Sequence, residues 1–156
     1  MKMRLVLSLL LSLAMTPALA AELNCPDAAG AVKVGECPSD SELSLTFASY
    51  CSADERMRDK DSIVCTDFEL YRKIKNIALW EAGDGTFHAY LSCDLKPETI
   101  KAAKLTGIKL AKDNKINRVI CTYGDGVAFT HRTRTECKIA TEVCGPDPAS
   151  CKAVCE

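Results

Sequence analysis

The sequence predicts an α+β fold: a small disulfide-rich domain built on an antiparallel β-meander with short flanking helices. Three observations point to it. Two Gly-Asp-Gly turns, Gly83-Asp84-Gly85 and Gly124-Asp125-Gly126, each sit between runs of alternating apolar residues, the pattern of a β-hairpin. Ten cysteines lie between Cys25 and Cys155 in a chain of 156 residues. Capping residues at Ser39 to Glu42, and a proline at Pro97, open short stretches of helical spacing.

The chain begins with the three parts of a secretory signal peptide. Lys2 and Arg4 form a charged start, Leu5 to Met15 an apolar middle, and Ala18-Leu19-Ala20 a small-residue cleavage site. The apolar run is short for a bilayer and Thr16-Pro17 breaks it, so a signal cleaved after Ala20 fits better than a retained membrane anchor. That leaves residues 21–156 as one exported domain, periplasmic or secreted. An even cysteine count in such a chain is the mark of a disulfide framework. All ten are candidates for pairing: Cys25, Cys37, Cys51, Cys65, Cys93, Cys121, Cys137, Cys144, Cys151 and Cys155. Ten cysteines allow about 945 pairings, so the connectivity is not legible.

From Ala21 to Pro38 the composition, with Pro26, Gly30, Gly35 and Pro38, reads as a loop stapled at Cys25, Cys37 or both. Leu43, Phe47 and Tyr50 then fall on one face of a helix expected from about Ser41 to Tyr50. Asp54 to Asp61 alternates acids and bases and reads as an exposed loop without the Asp-x-Asp-x-Asp-Gly order of a calcium site. Ile63 to Ile74 fits strand and helix about equally. In the first hairpin, a two-residue Asp84-Gly85 turn pairs Ala82 with Phe87, Trp80 with Ala89 and Ala78 with Leu91 on a wholly apolar face. Its reverse pairs Glu81 with His88 and Leu79 with Tyr90. A helical turn from Pro97 to about Lys104 ends before Gly107, and Ile108 and Leu110 lead through a polar turn into a strand from Ile116 to Tyr123. The second hairpin takes Gly124-Asp125-Gly126 as its loop with Gly126 left-handed, setting Tyr123 opposite Val127, Cys121 opposite Phe129 and Val119 opposite His131. Arg118, Thr122, Thr130 and Arg132 then share the wetter reverse face. The result is a meander of four or five strands, each joined to its chain neighbour. In the tail, Gly145-Pro146 is a break and Asp147-Pro148 a helix start. Cys151 and Cys155 would share one helical face and bridge to two different partners rather than to each other.

Charge narrows the partners. Of 20 basic and 21 acidic side chains, Lys2 and Arg4 leave with the signal, so the remainder carries a net charge of −3, which argues against nucleic acid. Lys101, Lys104, Lys109, Lys112, Lys115 and Arg118 nevertheless fall within a stretch holding one acid, Asp113. This is either a solvated face or a contact for an acidic partner or anionic envelope polymer.

No catalytic set, cofactor motif or metal set stands out. There is no Cys-x-x-Cys pair and no Gly-x-Ser-x-Gly turn. The cross-strand pair of Glu81 and His88 is the one acid/base arrangement that the register offers, and an ordinary surface cross-strand pair is the stronger reading of it. His131 reads as a core or edge residue. Candidate contacts are Asp84 and Asp125 at the loop tips, His88, Tyr90, Lys109 and Lys112.

The segment Val119-Ile120-Cys121-Thr122-Tyr123-Gly124-Asp125-Gly126-Val127-Ala128-Phe129 resembles a recurring segment of small bacterial envelope proteins, among them periplasmic lysozyme inhibitors and immunity proteins against wall-degrading toxins of type VI secretion. No Ser-Gly-x-x-Tyr segment of the lysozyme-inhibitor kind is present, so no site residues carry over. The resemblance implies a non-enzymatic periplasmic protein that occludes a protein partner, a cell-wall hydrolase or secreted toxin. Alternatives are a structural accessory of a secretion or envelope complex, and a small envelope enzyme using His88 and Glu81.

Overall fold

A computed structural model describes residues 20–60, 62–141, 144–145 and 147–156. The segment expected to be a signal peptide, apart from Ala20, lies outside these residues, as do Asp61, Glu142, Val143 and Pro146. No helix among the described residues is long and apolar enough to cross a membrane.

The fold is α+β, with two antiparallel sheets and five disulfides. The strands are β1 (Ala21–Asn24), β2 (Val32–Lys33), β3 (Ile77–Glu81), β4 (His88–Ser92), β5 (Leu105–Asp113), β6 (Ile116–Tyr123), β7 (Ala128–Thr133), β8 (Cys137–Ile139) and β9 (Lys152–Cys155). The helices are α1 (Asp40–Tyr50), α2 (Ser62–Thr66), α3 (Phe68–Lys75) and α4 (Pro97–Ala102). One sheet has six strands in the order β2-β3-β4-β7-β6-β5, and the other three in the order β1-β9-β8.

Both hairpin registers agree with the alternation in the sequence. Ala78 faces Leu91 and Trp80 faces Ala89 across β3 and β4, while Cys121 faces Phe129 and Val119 faces His131 across β6 and β7. The first turn differs in kind. The Ala82 amide bonds the Phe87 carbonyl at 2.9 Å, which leaves a four-residue loop from Gly83 to Thr86. The two-residue turns favoured in hairpins need positive φ at the first central position, here Asp84, and in this loop only Gly85 has it, at 70°. Asp84 instead accepts the Thr86 amide at 2.9 Å, closing the loop through its side chain. In the second loop Gly126 is left-handed as the register requires, and Asp125 is too, at 59°.

The sheet order corrects the expectation that each strand lies beside its chain neighbour. Strand β4 lies beside β7, not β5. The connection through α4 is responsible: Ile100 is fully buried in the main core, and the Lys104 carbonyl accepts the Gly124 amide at 3.0 Å, so β5 starts beside the second hairpin. Strand β5 thereby becomes the outer edge. The sheet's inner face, with Trp80, Phe87, Leu91, Val119, Cys121, Val127 and Phe129, packs with Ala28, Ile100 and the buried side chains of the small sheet. Full burial of a Phe or Ile side chain stabilises by roughly 1.5–3 kcal/mol, so this layer is the main source of cohesion.

The two chain ends hold further corrections. The stretch from Ala21 to Pro38 contains β1, a 3₁₀ turn over Ala28–Gly30 and β2 rather than loop alone. Its strands are short and find partners remote in sequence, β1 on β9 and β2 on β3. The tail forms a 3₁₀ turn over Pro148–Ser150 and then β9, not a helix. Pairing with both β1 and β8 supplies hydrogen bonds that outweigh the helix start at Asp147, whose carboxylate caps only the short turn. Cys151 and Cys155 do take different partners, Cys144 and Cys137. The remaining bridges are Cys25–Cys121, Cys37–Cys93 and Cys51–Cys65.

Helix α1 starts on a capping box, with the Ser39 amide on the Glu42 carboxylate at 2.8 Å and the Glu42 amide on the Ser39 hydroxyl at 3.3 Å. Its face of Leu43, Phe47 and Tyr50 packs on α3, where Phe47 meets Phe68 and Tyr71 edge-on at 5.3 and 5.1 Å. The ambiguous stretch from Ile63 to Ile74 is helical throughout except for Asp67, which caps α3 by accepting the Leu70 amide. Residues Arg56–Lys60 form a π-helical turn instead of a loop, and Cys51–Cys65 closes this excursion. Cys37–Cys93, with Arg72 between Asp40 at 3.3 Å and Asp94 at 3.9 Å, holds this helical cap to the end of β4.

Two outcomes follow from this packing. In the chain-entropy view a bridge closing a loop near 100 residues contributes about 4.7 kcal/mol and one closing about 15 residues about 3 kcal/mol. Cys25 and Cys121 are 96 residues apart and Cys51 and Cys65 are 14 apart. Denaturant unfolding of the oxidised protein should therefore show a larger loss for the double Cys25→Ala, Cys121→Ala variant than for Cys51→Ala, Cys65→Ala; equal losses would contradict this ranking. The second outcome concerns Tyr123, whose hydroxyl donates to the Pro26 carbonyl. Burial, with a smaller contribution from the Asp27 carboxylate, pushes its phenol well above its ordinary value. The folded form then holds a proton that the unfolded chain releases above pH ~10, so stability falls as pH rises past that point. Tyr123→Phe should flatten this alkaline loss in pH-dependent unfolding, and an unchanged slope would exclude the phenol as its source.

Candidate functional site

The outer face of the six-stranded sheet carries the candidate site. Strands β4 and β7 are joined in register at a single pair, His88 opposite Thr130. Beside this narrow seam lies an open groove of about 570 Å³. Leu79, His88 and Tyr90 line it from the first hairpin, Thr130, His131 and Arg132 from β7, and Gly85 and Thr86 from the first loop.

Strand alternation turns Leu79, His88, Tyr90, Thr130 and Arg132 outward, whereas His131, opposite buried Val119, belongs to the inward set and borders the groove from there. Trp80, Ala89 and Leu91 are buried inward, so Leu79, His88 and Tyr90 take the opposite face. Tyr90 is 60 % exposed, the largest aromatic surface among the described residues. Glu81 sits opposite His88, with Oε1 3.5 Å from the ring Nε2. His131 is anchored differently. Its Nδ1 lies 2.9 Å from the Thr86 carbonyl, which can only accept, so Nδ1 carries the hydrogen and a neutral ring keeps its lone pair at Nε2. The His131 ring also lies 5.7 Å from that of Phe87. The two histidines thus line one groove, His131 held by a backbone carbonyl and His88 within 3.5 Å of the Glu81 carboxylate.

The sequence-predicted contact residues separate. His88 and Tyr90 line the groove, and the loop bearing Asp84 borders it through Gly85 and Thr86. Asp84 itself is exposed and occupied by the Thr86 amide. Because β4 and β7 are antiparallel, the loops preceding them lie at opposite ends of the sheet, and Asp125 is remote from Asp84. Lys109 faces outward, opposite Ile120, whereas Lys112 lies opposite buried Asn117 on the other face. Lys112 donates to Glu136 at 2.6 Å, and that hydrogen bond holds the Glu136 carboxyl below the ordinary carboxylate range. The lysine-rich stretch is therefore not one patch. Much of it decorates edge strand β5, where charge discourages pairing with a second sheet.

Arg118 and Arg132, expected on the reverse face of the second hairpin but not as a pair, stand directly opposite each other on the outer face. The signal was present: Val119 opposite His131 fixes Arg118 opposite Arg132 by the same register. Thr86 and His131 were harder to find, since they enter the groove through the loop geometry and the seam.

All ten cysteines are in disulfides, and the described residues contain no cluster of three or more His, Cys, Asp or Glu suited to a metal ion. The five bridges mark a protein of an oxidising, extracytoplasmic environment. The chain matches no known protein family, no curated protein and no solved structure.

Proposed function

We propose that this protein is a non-enzymatic binding protein of the periplasm, exported by residues 1–20, which occludes a protein partner, a cell-wall hydrolase or secreted toxin, in the manner of an inhibitor or immunity protein. The observation that carries the reading is the groove itself. An exposed aromatic, Tyr90, lines it with His88 and Arg132 on a sheet tied through Cys25–Cys121 and Cys37–Cys93. Tyrosine and arginine at the centre of a concave, rigid surface are the side chains that supply most binding energy in protein interfaces. Rigidity also lowers the conformational entropy lost on association.

The contact between Glu81 and His88 favours a second reading, a small envelope enzyme in which the carboxylate orients the imidazole. Its discriminator is His88→Ala, which would abolish turnover in an enzyme and only weaken binding in an inhibitor.

The test is affinity capture by the oxidised mature protein from envelope and secreted fractions, followed by assay of any captured hydrolase. The expected result is one hydrolase, retained near stoichiometry and inhibited on binding. Tyr90→Ala should weaken that complex by about 30-fold, the scale of a 2 kcal/mol anchor. A hydrolase bound equally by Tyr90→Ala would remove the groove from the interface, and recovery of a multi-protein assembly would favour a structural accessory.

A further inference from the structure

Resting on the reading of the groove as a docking face, we infer that Arg118 and Arg132 form its anion-recognising end and receive a carboxylate of the partner protein. Arg118 and Arg132 are cross-strand partners on β6 and β7, and Arg132 lines the groove. Like charges directly opposite each other on adjacent strands are destabilising. Lys109 adds a third cation on the same face. Its partner Ile120 is two residues from Arg118, so the two are diagonal neighbours at about 7–8 Å between strands.

Nothing among the described residues neutralises this group. Arg118, Arg132 and Lys109 form none of the ion pairs there, whereas Arg72, Lys112 and Lys152 each have a carboxylate. Glu81, the acid in the row of His88, lies 3.5 Å from that ring and forms no ion pair with these cations. Moreover, Nε of Arg118 is shut away from water with no acceptor, the one buried side-chain nitrogen or oxygen so placed among the described residues. An unpaired buried donor is costly, and one on a guanidinium especially so. A carboxylate laid across the two guanidiniums would cancel their repulsion and accept from Arg118 as that side chain turns toward it. Planar, forked donors suit a carboxylate by geometry as well as charge.

The partner's chemistry follows from the surroundings. The cations adjoin a bounded groove with Leu79 and Tyr90 in its lining, which suits a loop presenting one acid beside an apolar or aromatic residue. A polyanion needs an extended cationic track, and the chain without its signal has a net charge of −3. An acidic protein segment is therefore the occupant.

The experiment uses the oxidised, 15N-labelled mature protein and follows the arginine Nε–H resonances by NMR. The probes are the peptide acetyl-Asp-Tyr-Gly-amide, its Asn counterpart, inorganic phosphate and polyphosphate. The Asp peptide should shift Arg118 and Arg132 saturably, and the Asn peptide should bind at least five-fold more weakly. Arg132→Gln, at an exposed position, and Arg118→Gln should each remove that preference while leaving the backbone spectrum folded. Parallel, unsaturated shifts at all arginines would overturn the inference, as would tighter binding of phosphate or polyphosphate. The underlying reading fails separately. If the Asp peptide binds as described but Tyr90→Ala leaves hydrolase inhibition intact, the carboxylate site stands and the groove is not the inhibitory face. If inhibition needs Tyr90 but neither arginine, the docking face stands and this inference falls.

Discussion

The structure depends on one covalent constraint, the buried bridge between Cys25 and Cys121. Cys25 follows the first strand of the small sheet, and Cys121 lies on the inner face of the large one, so the bond joins the two sheets within the core. Its neighbours reinforce it. The Cys25 amide bonds the Cys151 carbonyl at 2.9 Å, and the Tyr123 hydroxyl reaches the carbonyl of Pro26. The N-terminal segment, the tail and the second hairpin are consequently fixed relative to one another. Without this junction the short strands β1, β8 and β9 would have to repay their ordering entropy from very few hydrogen bonds.

With the inner face filled, the outer face of the large sheet is left to solvent or to a partner. The sheet is two hairpin units meeting at the His88–Thr130 pair, because α4 takes the chain to the other side of the second hairpin. The groove lies beside that meeting line. Its side chains come from β3, β4, β7 and the first loop, and the bridges at Cys93 and Cys121 tie both hairpin units to the N-terminal part of the chain. Rigidity and exposure thus coincide along the groove that Tyr90, His88 and Arg132 line.

Sequence and structure agree where interactions are local. Alternation around Gly83–Gly85 and Gly124–Gly126 sufficed to set both registers, since a slip by one residue would have put Trp80 or Phe129 in water. The start of α1 was equally legible from Ser39 and Glu42. What could not be read was non-local. The pairing of β1 with β9, the placement of β4 beside β7 and the five-bridge connectivity all depend on contacts far apart in sequence. The candidate site divides along the same line. His88, Tyr90 and Glu81 were visible from one hairpin, and the Arg118–Arg132 pair was implicit in the other, but only the seam brings His131 and Arg132 to the first hairpin.

On the proposed reading the outer groove, and not the helical cap or the edge strand, is the surface that meets the partner. Hydrogen–deuterium exchange of the free protein and of its complex with the captured hydrolase tests this most directly. Docking in the groove brings new protection to residues 79–90 and 128–132, with little change over residues 40–75. Protection confined to the helical cap or to β5, with the groove exchanging as in the free protein, would contradict it.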